Sequence, residues 1–295
     1  MVSIVITTFN RENLVSDAVE SALAQTYKDI EVVVVDDGST DNTRQVLDKY
    51  IKDEKIVYHY QENKGCSGAK ATGVRISKGD YVALLDSDDI WYPDKLERQI
   101  PLFEKNKDVG VVYSFCTRQR FNRPDKVLGT VCTGYLFPRL ILGNCIPNTT
   151  AVFRKELVDK IGNFDENLSR SEDWDFWLRC SEHVQFDLVP EILAEMRVFG
   201  DNLSHKGEPL DQTITIILDR IFSRDDLPEE ILRLKNRAYA NRYLDFMGGY
   251  LGLNRTSKVW ACFFKALKSH PRAIKPAHIS IALKSLIRPF FRKTG

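Results

Sequence analysis

The sequence predicts an α/β fold: a doubly wound, mostly parallel sheet flanked by helices, followed by a helical C-terminal extension. Three observations lead there. Short β-branched runs alternate with helix-patterned segments through the first 115 residues. The runs are continuous rather than alternating in polarity, which marks strands buried on both faces between two helical layers. Polar clusters follow three of these runs, at 7–10, 36–41 and 86–89, and ligands of open α/β sheets bind outside the carboxyl ends of the strands.

Residues 2–7 form the first apolar, β-rich run. Leu14, Ala18, Val19, Ala22 and Leu23 recur at helical spacing over 13–25, and residues 30–35 are a second β-branched run. The same reading predicts helices over 40–50, 67–77 and 94–106 and strands over 55–60, 80–85 and 109–115. The pattern weakens to a loop or hairpin over 118–134, then mixes short strands and helices over 144–205. Residues 210–293 are mostly helical, with an αα-hairpin expected from 231–251 and 258–268 and interruptions at Pro271, Pro276 and Pro289.

With 43% hydrophobic and 28% charged residues, the chain reads as an ordinary globular protein. No apolar run approaches the roughly 20 residues that span a bilayer. Residues 1–10 lack the pattern of a signal peptide, so a cytoplasmic location is expected. Six scattered cysteines without a CxxC pair argue against a disulfide framework or a zinc site. The net charge of +1 conceals an asymmetry: after Asp245 there are ten Lys or Arg and no acid. Such a tail suits an anionic surface. A membrane is favoured over nucleic acid, for which no reading motif is present. Ile279, Leu283, Leu286, Ile287, Phe290 and Phe291 supply an apolar stripe, and Lys284, Arg288, Arg292 and Lys293 a basic rim. The alternative is that this stripe packs on the rest of the fold.

Asp86-Ser87-Asp88-Asp89 follows the strand at 80–85. Carboxylates one residue apart at a strand end can share a hard, oxygen-preferring cation such as Mn²⁺ or Mg²⁺, held by one or two carboxylates plus phosphate oxygens.

Several motifs stand in one order: Val-Ser-Ile-Val-Ile-Thr-Thr-Phe-Asn at 2–10, Ser-Ala-Leu-Ala-Gln-Thr at 21–26, Val-Val-Val-Asp-Asp-Gly-Ser-Thr-Asp at 33–41, and Gly-Asp-Tyr-Val-Ala-Leu-Leu-Asp-Ser-Asp-Asp at 79–89. Gly-Asn-Phe-Asp-Glu at 162–166, Ser-Glu-Asp-Trp-Asp-Phe-Trp-Leu-Arg at 171–179 and Met196-Arg197 follow. Over about residues 1–205 the sequence resembles family 2 of the inverting glycosyltransferases, which have the GT-A fold.

The resemblance implies a catalytic domain at 1–205, with a nucleotide-sugar-binding half at 1–115 and an acceptor and catalytic-base half at 116–205. A helical extension with the basic tail occupies 206–295. It implies transfer of a sugar from a nucleotide-diphosphate donor, UDP favoured, to a hydroxyl of a glycan or lipid-linked acceptor. Thr7, Phe9 and Asp37 match positions holding the base: Phe9 offers a stacking face and Asp37 an acceptor for an imide N–H. Asp86 matches the carboxylate near ribose and metal, Asp88 the metal ligand, and Asp173 the general base. Asp36 reads as support for the turn. Phe9 read as a core aromatic, or Ser171 as a helix cap with Glu172 and Asp173 complementing the dipole, are the plainer alternatives. Trp177 is expected in the core, while Trp174 is open between core and acceptor pocket.

Lys70 stands where the family commonly has Arg, and Ala71 where Asn is usual, so a base or phosphate contact by Lys70 is a point charge rather than a fork. Arg197 is expected at phosphate. Phe199 replaces a histidine that follows this arginine in the family, and His205 is a candidate substitute in a loop with Asn202 and Ser204. The rival readings are a non-catalytic nucleotide-sugar-binding protein and a nucleotidyltransferase. The latter normally carries a Gly-rich phosphate loop after the first strand, and Thr-Thr-Phe-Asn at 7–10 is none.

Overall fold

The computed structural model describes residues 1–119, 125–198 and 211–287. The first half alternates strands and helices as the patterning predicts, with the short β5 added: β1 (Val2–Thr8), α1 (Val15–Leu23), β2 (Ile30–Asp36), α2 (Thr43–Lys52), β3 (Val57–Tyr60), α3 (Gly65–Ile76), β4 (Tyr81–Asp86), β5 (Ile90–Trp91), α4 (Lys95–Lys105) and β6 (Val109–Arg118). There follow β7 (Lys126–Leu128), α5 (Phe137–Ile141), β8 (Val152–Arg154), α6 (Leu157–Ile161), α7 (Glu172–Ser181) and β9 (Gln185–Met196). The sheet runs β3-β2-β1-β4-β8-β6-β9-β5, with β7 paired to β6 off this path. The pairs β3-β2, β2-β1, β1-β4 and β6-β9 are parallel, and β8 is antiparallel to both its neighbours.

Helices cover both faces. Val2, Ile4 and Ile6 of β1 and Val32 and Val34 of β2 share one core with Val15, Ala18, Val19 and Ala22 of α1, Leu47 and Tyr50 of α2, and Leu96, Ile100 and Phe103 of α4. On the opposite face α3 lies so close that a Cβ built on Gly73 would stand 2.3 Å from Val5 Cγ1 and 3.3 Å from Val35 Cγ2. Glycine is therefore demanded here by contact rather than by backbone angle. Gly73→Ala is expected to destabilise the fold by about 1–3 kcal/mol through overpacking, read as a lower urea midpoint at unchanged m-value. An unmoved midpoint would show that α3 has slack against β1.

The long strand β9 was not expected as one element. Pro190 inside it argues against a central strand. The register explains its tolerance: Ser114 pairs with Val189 and Phe115 with Ile192, so Pro190 and Glu191 fall in an irregularity that needs no ladder N–H. Trp174 and Trp177 are both buried, and Trp177 packs edge-on against Phe153 and Phe176. Trp174 thus belongs to the core. All six cysteines are free thiols.

A second compact unit comprises Pro138–Asn144 and, among the described residues, 211–287. Its helices are α8 (Asp211–Phe222), α9 (Glu229–Leu232), α10 (Lys235–Gly252), α11 (Thr256–Ser269) and α12 (Pro276–Ile287). Residues 138–144, assigned by sequence to the acceptor half, group with this helical unit instead. The reason is local bonding: Asn241 Nδ2 and Arg242 Nη2 of α10 donate to the Leu142 carbonyl at 3.1 and 3.0 Å. The turn from α10 to α11 uses Asn254 at φ +57°. No described helix is long and apolar enough to cross a membrane.

Candidate active site

Sheet register gathers the polar strand ends. Thr7 lies between Val35 of β2 and Asp86 of β4, and Thr8 lies opposite Asp36. The chain leaves β1 through Asn10, whose left-handed backbone (φ +52°) is uncommon for a non-glycine residue. Asn10 latches this loop to the one after β2: its N–H donates to Ser39 Oγ at 2.9 Å, and its Oδ1 accepts from Thr40 N at 2.8 Å.

Asp36 is buried and accepts from Ser39 N at 2.9 Å and the Tyr58 hydroxyl at 2.7 Å, so it holds the turn together. Asp37 is also buried, with Oδ1 accepting from Gln61 Nε2 at 2.6 Å and Lys64 N at 2.9 Å. Phe9 is 45% exposed. A core role for that ring is thereby excluded, and its face is available to a ligand.

At the end of β4, Asn148 Nδ2 lies 3.4 Å from each oxygen of Asp86, and Lys70 Nζ lies 3.7 Å from Oδ1. Burial, then the charge of Asp86, pushes the Asp88 carboxyl up to about 6, against the opposing pull of Arg11 and Arg197. Asp89 is buried and pushed well above the carboxylate range by burial and by its two acidic neighbours. Its Oδ1 accepts from Arg197 N at 3.1 Å. The Arg197 guanidinium is fastened by Nε to the Asp88 carbonyl at 2.7 Å and by Nη1 to Asp17 at 2.6 Å. This arginine ties α1 to the acidic strand end.

The second carboxylate pair opens α7. Ser171 precedes it at φ +56° and makes no side-chain cap bond. The alternative reading of Ser171 as a cap fails because the backbone is left-handed rather than in the extended region an N-cap occupies. Glu172 Oε1 accepts from Lys70 Nζ at 2.7 Å and from Cys66 Sγ at 3.3 Å. Burial opposes ionisation of Glu172, but the Lys70 ammonium outweighs it and holds the carboxyl below its usual range. Asp173 moves the other way. Burial and the charge of Glu172 push it up to about 6, Asp86 adding to the rise and Lys70 limiting it.

One buried ammonium thus joins the two halves of the site. Lys70 is 3% exposed and contacts Glu172 beside Asp173 on one side and Asp86 on the other. Sequence reasoning missed Glu172 as its partner, since the two are 102 positions apart and the pair reads locally as a dipole complement. Asn148 was missed for the same reason, having only its contact with Asp86 to mark it. Phe199, Asn202, Ser204 and His205 lie outside the described residues.

The sequence profile of glycosyl transferase family 2 matches residues 3–162. The chain belongs to this family. An uncharacterised glycosyltransferase of Rickettsia typhi is 40% identical over 210 residues, covering 67% of this chain and 64% of that protein. The chain therefore spans less than two thirds of that relative. Chondroitin synthase of Escherichia coli is 32% identical over 211 residues, covering 70% of this chain and 30% of the synthase. Residues 1–349 of S. aureus TarS, solved with UDP-GlcNAc, superimpose with a TM-score of 0.71 at 18% identity, over 97% of this chain and 88% of that 1–349 chain. That likeness speaks for the fold, and the fold of this family 2 member is GT-A.

A divalent cation fits the acidic strand end of this family 2 chain. Among the described residues no three His, Cys, Asp or Glu side chains converge into a complete metal cage. What β4 offers is two oxygen donors, Asp86 and Asp88, the second already strained by burial and by the first. That set suits Mn²⁺ or Mg²⁺ shared with phosphate oxygens.

Proposed function

We propose that the chain is a metal-dependent inverting glycosyltransferase. It moves a sugar from a UDP-linked donor to a hydroxyl of a glycan or lipid-linked acceptor, in polysaccharide or surface-glycan synthesis. The observation that carries this reading is the Lys70 bridge, which ties a cation-suited strand end to Glu172, the neighbour of Asp173, whose burial beside that charge leaves it basic near neutrality. A general base works best with a pKa close to the operating pH.

In this reading Asp173 takes the proton of the acceptor hydroxyl as its oxygen attacks the anomeric carbon opposite the leaving diphosphate, which inverts the configuration. Asp88, assisted by Asp86, would hold the cation, whose charge stabilises the departing diphosphate without proton transfer. Lys70 keeps Glu172 ionised and fixes the start of α7, so that Asp173 is presented in one place. Phe9 stacks on the base, Asp37 receives the imide N–H beside Thr7, and Arg197 braces the backbone at Asp88 while adding positive charge near the phosphates. A non-catalytic nucleotide-sugar-binding role would leave the raised Asp173 carboxyl without a purpose.

The test is transfer and hydrolysis across a panel of nucleotide sugars with Mn²⁺ or Mg²⁺; no turnover of any UDP-sugar would end the reading. Base choice is checked separately. Calorimetry is expected to show UDP or dTDP binding more tightly than ADP, with Asp37→Ala narrowing the gap, since an unmade buried hydrogen bond costs about 1–3 kcal/mol. Tighter ADP binding would remove Asp37 from that role.

A further inference from the structure

We infer that the outward faces of α11 and α12 form a docking surface for an anionic phospholipid bilayer. This goes beyond the transferase reading and rests on it only for the advantage of meeting a lipid-linked acceptor.

On α12, Ile279, Leu283 and Leu286 are 47%, 50% and 48% exposed, while Ala282 and Ser285 point inward and are buried. The spacing i, i+4, i+7 puts the three on one helix face. Thr256 Oγ1 donates to the Ser285 carbonyl at 2.8 Å, which anchors α12 to the start of α11. On α11, Val259, Cys262 and Ala266 are buried, and Phe264 and Leu267 are turned outward. Each helix therefore spends its inward side on the unit's own core and leaves large apolar groups in solvent.

The neighbours of these groups are basic. Lys265 follows Phe264, with its ammonium 5.4 Å from the Tyr243 ring centre, Lys268 lies one turn on, Lys284 follows Leu283, and all three lysines are exposed, as are Lys258, Arg272 and Lys275. No acid stands after Asp245 to neutralise them. Single exposed apolar residues are ordinary, but five on two consecutive helices within an all-basic stretch match an interfacial helix, apolar towards the acyl chains and cationic towards headgroups. A second copy of the chain would match the apolar groups but set like charge against like. Nucleic acid would match the charge but leave the apolar groups unused.

The experiment is co-sedimentation of the full chain with phosphatidylglycerol-containing vesicles and with pure phosphatidylcholine vesicles, without donor sugar. Binding is expected to the anionic vesicles alone and to weaken as salt rises. The combined exposed substitutions Phe264→Ser, Leu283→Ser and Leu286→Ser are expected to lower the partition coefficient about tenfold or more while leaving the thermal midpoint unchanged. Lys265→Gln, Lys268→Gln and Lys284→Gln together are expected to remove much of the salt-sensitive part. Wild-type chain left in the supernatant with anionic vesicles at low salt overturns the inference. So does wild-type binding by the serine variant, or a dimer in light scattering that this variant abolishes, which would give the face to a second copy. Asp173→Asn, inactive in the transferase reading, is expected to bind vesicles like wild type, so docking and catalysis fail independently.

Discussion

Asp173→Asn is expected to lower kcat by a factor on the order of 10²–10⁴, the usual contribution of a positioned acid or base, while donor affinity stays near wild type. Asparagine keeps the shape at the start of α7 but accepts no proton. The group removed is the carboxyl that burial and Glu172 push up to about 6. That value also sets the sign of the pH dependence. The carboxyl binds its proton more tightly than an ordinary aspartate, so the active, deprotonated form is lost as pH falls through about 6. Wild-type kcat, measured from about pH 5 to 8 at saturating donor and cation, is therefore expected to drop about tenfold per unit on the acid side and to level off above. The variant's residual rate is expected to lack that limb. Turnover at the wild-type rate, or a product retaining the donor's anomeric configuration, would remove Asp173 from the mechanism.

Asp88→Asn is expected to abolish most transfer, by about 10² or more, because an interaction made chiefly with the departing diphosphate is lost. Calorimetry of donor binding with and without Mn²⁺ should show the metal-dependent part weakened. The fold should hold: Arg197 Nε bonds the Asp88 backbone carbonyl, which asparagine retains, and one of three crowded carboxyl groups is gone. An unchanged thermal midpoint would check this. Full activity of the variant, or of the wild type in excess chelator, would exclude Asp88 as a cation ligand.

The helices and strands from β1 to β6, β5 apart, were readable almost to their ends because each is specified locally. A continuous β-branched run such as 30–35 suits little but a buried strand, and the spacing of Leu14, Ala18, Val19 and Ala22 suits little but a helix against it. Non-local pairing was harder. The two-residue strand β5 is strand only because β9 lies beside it, and β9 itself hides behind Pro190 until the register shows that proline outside the ladder.

The candidate site divides along the same line. Sequence alone determined that carboxylates at 36–37, 86–89 and 172–173 would stand at strand ends or a helix start, and the ordered motifs identified the family. Chemical type and position in an element are local properties, visible one segment at a time. Tertiary structure alone decided what each carboxylate became: Asp36 a turn support under Tyr58, Glu172 an ionised partner of Lys70, Asp173 a carboxyl raised to about 6. It also decided that Ser171 is no cap and that Phe9 faces solvent. The reason is physical: desolvation and Coulomb interaction depend on distance in space, and the charge that separates Glu172 from Asp173 is supplied by a lysine 102 positions away.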